Sequence, residues 1–157
     1  MTHKNEMELV FDSRSVNEGF ARVAVASFLT QLNPTLEEVS DVKTAVSEAV
    51  TNAIIHGYEK EIQKIWIRCR LENQSFYIEI EDHGKGISDI EKAMEPLFTT
   101  KPELERSGMG FSFMEAFMDE VEVVSPITRE TESVEGTLVK MQKTIGKGRE
   151  VWTTQSL

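Results

Sequence analysis

Apolar residues in this chain recur with two distinct periods, and the changes between them mark out the elements. Met7, Leu9 and Phe11 alternate, as in a strand with one covered face. The spacing then lengthens. Val16, Phe20, Val23, Ala24, Ser27 and Phe28 form a stripe at helical intervals, which predicts the core side of a first helix. That helix opens at a capping box, Ser15-Val-Asn-Glu18, and ends before Asn33-Pro34. A second box, Thr35-Leu-Glu-Glu38, opens a long helix with Val42, Ala45, Val46, Ala49 and Ala53 on its apolar side, and Gly57 stands where a helix C-terminus favours glycine.

Period two returns at Lys64 to Glu72, with Ile65, Ile67, Cys69 and Leu71 on one face, and again at Phe76 to Asp82, so Leu71 to Phe76 predicts a hairpin. The polar stretch from Ile87 to Ser107 is well beyond the ~12–15 residues after which a loop is usually functional. Gly108-Met-Gly110 opens a further helix carrying Phe113, Met114, Phe117 and Met118, and a strand follows at Glu120 to Val124. Ser125 to Glu135 reads as irregular, and Gly136-Thr137 begins a last strand that runs to about Lys143. This order predicts an α+β fold, a two-layer α/β sandwich with a mostly antiparallel sheet and helices on one face.

At 157 residues the chain suits one domain, expected over 1–145, with a poorly ordered tail over 146–157. The 17 basic and 27 acidic residues give a formal charge of −10. Direct nucleic-acid binding, which depends on cationic side chains, is therefore not expected. No apolar run nears the ~20 residues of a membrane span, and the N-terminus lacks the apolar stretch of a secretory signal, so no membrane association and a cytoplasmic location are expected. A lone Cys69 at an inward strand position fits core packing in a reducing compartment.

Three side chains of the long helix carry potential chemistry. Glu48, Asn52 and His56 are spaced four apart and form one stripe on the border of the apolar face, either a solvated edge or the wall of a cleft. Downstream, Asp82 continues the inward parity of Phe76, Ile78 and Ile80, and Gly84 and Gly86 follow it. A carboxylate ahead of two glycines lets backbone approach a flat ligand, although Asp and Gly are also ordinary turn residues. Gly108, Met109 and Gly110 place permissive backbone at a helix N-terminus, where free N–H groups attract phosphate. Thr137 shares the inward parity of Val139 and Met141.

Taken in order, these segments resemble the four boxes of the gyrase, Hsp90, histidine-kinase and MutL type of ATP-binding domain, known as the Bergerat fold. The segments Glu48-Ala-Val-Thr-Asn-Ala-Ile-Ile-His-Gly-Tyr58 and Pro96-Leu-Phe-Thr-Thr-Lys-Pro-Glu-Leu-Glu-Arg-Ser-Gly-Met-Gly-Phe111 are similar to those of the bacterial anti-sigma factor serine kinases, most of all the sporulation branch. The resemblance implies a homodimeric protein that holds a sigma factor inactive and uses ATP and Mg²⁺ to phosphorylate a serine on an anti-anti-sigma factor. A stress-response kinase of the same family and a sequestration module without kinase activity are the alternatives.

By the same resemblance, Asn52 coordinates Mg²⁺ and Glu48 takes the proton of the attacking serine. Asp82 receives the adenine amino group, Thr137 supports that end, and Gly84 and Gly86 give the base room. Thr99, Thr100 and Lys101 belong to a lid over the phosphates, whose oxygens meet the amides of Gly108, Met109 and Gly110. His56 and Arg106 are phosphate-side contacts. The segment Ser125 to Glu135 is longer than the family's usual connection. The wheel of the first helix sets Arg22 away from the apolar stripe, which makes it a candidate anchor for a protein partner.

Overall fold

The strand alternation is realised in a five-stranded sheet whose strands lie in the order Lys4–Asp12, Lys64–Glu72, Ser75–Asp82, Thr137–Thr144 and Glu120–Val124, every neighbouring pair antiparallel. The computed structural model describes residues 3–59, 61–95 and 110–147. Its strands are β1 (Lys4–Asp12), β2 (Lys64–Glu72), β3 (Ser75–Asp82), β4 (Glu120–Val124) and β7 (Thr137–Thr144), with β5 (Ile127–Thr128) and β6 (Ser133–Val134) forming a separate two-stranded sheet. Among the described residues the α-helices are α1 (Val16–Leu29), α2 (Leu36–Asn52), α3 (Ile90–Ala93) and α4 (Gly110–Phe117).

One face of the sheet is apolar because strand parity makes it so. Phe11, Ile65, Ile67, Cys69, Leu71, Phe76, Ile78, Ile80, Val139 and Met141 join Val42, Ala45, Val46, Ala49 and Val50 of α2 in a single core. The opposite face carries charge in register. Glu8 lies opposite Arg68, Arg68 opposite Glu79, Glu79 opposite Lys140 and Lys140 opposite Glu122, so opposite signs alternate across the strands. Burial holds the Cys69 thiol up at about 12, which leaves it an inert core residue.

The second capping box forms as its sequence predicts. The Thr35 hydroxyl accepts the Glu38 N–H at 3.1 Å, and Glu38 Oε1 accepts the Thr35 N–H at 2.8 Å. Its other oxygen accepts the Gly146 N–H at 2.8 Å, tying the start of α2 to the exit of β7.

Three expectations are corrected. Ser15 makes no side-chain cap, because its φ of −58° and ψ of −29° are already helical rather than extended. The core face of α1 is Ala21, Val25 and Leu29, all fully buried, whereas Val16, Phe20 and Val23 are exposed. Both stripes have helical spacing, and packing against α2 selects the one that includes the small Ala21. Ser125 to Glu135 is not irregular but holds the β5–β6 hairpin. The expected tail falls almost wholly outside the described residues, and no helix among those described is long and apolar enough to cross a membrane.

Candidate functional site

Helix α2 does not simply stop at Gly57. After Asn52 it widens into a π-helical turn over Ala53–Gly57, closed by the Tyr58 N–H donating to the Ala53 carbonyl at 2.9 Å. Such turns are frequent at functional sites, since the extra residue re-aims the side chains around it. Asn52, just before the turn, and His56, within it, reach the wall of a cavity of about 590 Å³, a size that suits a small organic ligand.

The same cavity receives Asp82, Gly86 and Thr137, so five of the sequence-predicted residues meet although they come from three separate elements and a loop. Register explains the pairing of two of them: Asp82 ends β3 directly opposite Thr137, which begins β7. Ala49, Ala53, Ile80, Ile87, Ala93, Phe111 and Val139 supply apolar walls. A flat aromatic ring bounded by such walls and one carboxylate has both its faces and its polar edge provided for.

Asp82 is the strongest electrostatic feature. Only 5% exposed, it has its pKa pushed up to about 6 by burial, against the hydrogen bond that its Oδ1 accepts from the Gly84 N–H at 2.9 Å. A buried carboxylate held at this cost is what a site needs to receive a donor from a ligand. Its outward neighbour Glu81 is set the opposite way. Burial would raise its pKa, but hydrogen bonds from His83, Arg68 and Arg129 prevail and hold it at about 2.

Two glycines act by close approach. A Cβ on Gly57 would lie 2.8 Å from Asp82 Oδ1, and one on Gly84 would overlap the Gly57 carbonyl at 2.2 Å. Gly57 has no left-handed φ, so it is not the helix cap its position suggests; it clears space for Asp82. Gly84 likewise packs on Gly57 rather than lining the cavity. Tyr58 holds the same loop, its hydroxyl donating to the Lys64 carbonyl and accepting the His83 N–H at 2.7 Å.

Glu48 is half-buried one turn before Asn52 and is not among the residues lining the cavity. Gly110 begins α4, and Phe111 beside it reaches the cavity wall. Thr99, Thr100, Lys101, Arg106, Gly108 and Met109 lie outside the described residues. Sequence reasoning missed Lys85 and Lys92, two cations of the wall. Lys85 lies inside the Asp82–Gly86 segment and could have been flagged as a phosphate-side charge; Lys92, in a polar stretch rich in such residues, gave no signal. Arg22, expected in solvent, is half-exposed, lying over Gly19 with Glu18 at 3.8 Å.

The chain is similar to known proteins over most of its length. Residues 11–143 match the histidine kinase-like ATPase domain family. The chain is 55% identical over 150 residues to the anti-sigma F factor of Oceanobacillus iheyensis, covering 95% of this chain and 99% of that protein. It is 53% identical to the anti-sigma F factor of Bacillus subtilis, covering 93% and 97%, and 58% identical to that of Clostridium botulinum, covering 90% and 95%. Among solved structures, the RsbU and RsbW domains of a Mycobacterium tuberculosis protein superpose with a TM-score of 0.62 at 15% identity. That alignment covers 90% of this chain and 32% of the other, and shows the shared fold.

Proposed function

Since this chain belongs to the histidine kinase-like ATPase domain family, among the relatives of the anti-sigma F factors, we propose that it is a nucleotide-dependent anti-sigma factor with serine kinase activity. In this reading it holds a sporulation sigma factor inactive and inactivates the anti-anti-sigma antagonist by phosphorylation. The observation that carries it is the convergence of Asn52, Asp82 and Thr137 on one cavity.

ATP would lie with its base between the apolar walls, its 6-amino group donating to Asp82 and its phosphates toward Asn52, His56, Lys85 and Lys92. Among the described residues no cluster of three or more His, Cys, Asp or Glu could hold a metal by itself. One amide oxygen from Asn52, completed by phosphate oxygens and water, still suits Mg²⁺, which demands few protein ligands. Bound there, the ion supplies charge neutralisation on the phosphates. Glu48 would accept the proton as the serine oxygen bonds to the γ-phosphorus and the β–γ bridging bond breaks, releasing ADP. The test incubates the chain with γ-labelled ATP and a sporulation anti-anti-sigma factor. Label on a serine of that partner is expected, and none after many turnovers' worth of time would refute the kinase.

Partner docking is assigned to Arg22, half-exposed on α1 and set away from the stripe of Phe20 and Val23. Arginine is enriched at binding hot spots, and an acidic protein that docks two rival partners needs a specific anchor. Arg22→Ala should weaken association with the sigma factor, the antagonist or both by more than ~1 kcal/mol while ATP affinity holds. Unchanged binding of both partners in a surface-resonance titration would move the docking surface elsewhere. The family resemblance further implies a cytoplasmic homodimer.

A further inference from the structure

The connection between β4 and β7 is a folded hairpin, β5–β6, entered through Ser125. Ile127 pairs with Val134 and Thr128 with Ser133, and the Arg129 N–H donates to the Glu132 carbonyl at 2.8 Å to close the turn. Ile127 is 1% exposed yet stands outside the main core, so the hairpin has its own anchor.

Ser125 leads into it. Its Oγ accepts the Ile87 N–H at 2.8 Å and donates to the Gly136 carbonyl at 2.7 Å. Ile87 is a wall of the cavity, and Gly136 immediately precedes Thr137, another wall. A Cβ on Gly86 would come within 2.8 Å of the same oxygen, which places the hydroxyl directly behind the lining. Arg129 acts from the other side of the sheet. Its Nη2 donates to Glu81 Oε1 at 2.7 Å, the carboxylate that also takes Arg68 at 2.6 Å and His83 at 2.6 Å. Glu81 and Asp82 are consecutive in β3 and point to opposite faces, so bracing Glu81 fixes the strand end that aims Asp82 inward.

We propose that residues 125–135 clamp the adenine end of the cavity, with Ser125 and Arg129 as positioning residues that set its selectivity for a 6-aminopurine. The inference rests on reading the cavity as an ATP site. Neither residue touches the base; they fix the separation of Asp82, Gly86 and Thr137. Hydrogen-bond strength falls steeply with misalignment, so slack in that frame lowers recognition of the amino group before it lowers anything else.

The test compares ATP with inosine triphosphate, whose base carries a carbonyl where adenine has its amino donor, by calorimetry on the full chain. In Ser125→Ala and Arg129→Met, ATP affinity should fall roughly tenfold, the loss expected for one or two hydrogen bonds. Inosine triphosphate affinity should change little, so the ratio narrows, and Ser125→Thr, which keeps the hydroxyl, should retain the wild-type ratio. General loosening of the fold would lower both nucleotides together. Arg129→Met leaves Glu81 paired with Arg68 and His83, so it reports even where Ser125→Ala fails to fold. A wild-type ratio in either folded variant, or a narrowed one in Ser125→Thr, overturns the clamp. A wild-type chain that binds neither nucleotide overturns the ATP reading itself.

Discussion

Asp82→Asn is expected to make the nucleotide-free protein more stable at pH 7 while weakening its hold on ATP at least tenfold. The two effects share one cause. Burial raises the Asp82 carboxyl to about 6, from the 3.8 of an unperturbed group, so the folded state binds a proton more readily than the unfolded chain. Stability from this group is therefore fully present below pH 4 and lost as pH rises through 6, amounting to on the order of 3 kcal/mol by pH 7. An asparagine mimics the protonated form at every pH. The variant should consequently gain stability above pH 6 and match the wild type near pH 4, whereas Glu81, held at about 2, contributes in the opposite sense, its stabilisation fading as pH falls from 4.5. Chemical denaturation at pH 4 and 7 and ATP calorimetry check both halves. A stability loss at pH 7 with unchanged ATP affinity would make Asp82 a structural residue.

Glu48→Gln should abolish most phosphoryl transfer and spare binding. Glu48 is half-buried and one helical turn behind Asn52, and it does not line the cavity, so removing its charge leaves the nucleotide's surroundings intact. A general base contributes roughly 10²–10⁴-fold, and the loss should fall on the rate of a single turnover rather than on the affinity for ATP or antagonist. Sigma-factor binding in ATP should persist. Transfer at the wild-type rate would leave Glu48 a structural residue and place the base elsewhere.

What the sequence determined by itself was whatever depends on local period. Strand parity set the inward course of Ile65, Ile67, Cys69 and Leu71 and sent Asp82 to the covered face, since a period of two leaves each residue only one of two sides. The Thr35–Glu38 box likewise needs only its own four residues to close. The ordered glycine and acidic segments were legible as an ATP-binding pattern, and Asn52, His56, Asp82, Gly86 and Thr137 do meet on one cavity.

Tertiary structure decided the rest, because the deciding atoms are far away in sequence. Which stripe of α1 faces inward depended on what α2 could accept, so Val16, Phe20 and Val23 remain outside while Ala21, Val25 and Leu29 are buried. Gly57 reads as a helix cap until Asp82, from the end of β3, is found against it, and the π-helical turn before it has no counterpart in periodicity. The hairpin over 125–135 lacked a pattern long enough to detect, yet Ser125 reaches Ile87 and Arg129 reaches Glu81 across the fold. Local spacing fixes the direction of a side chain along its own element; only packing brings the partner that gives that direction a chemical meaning.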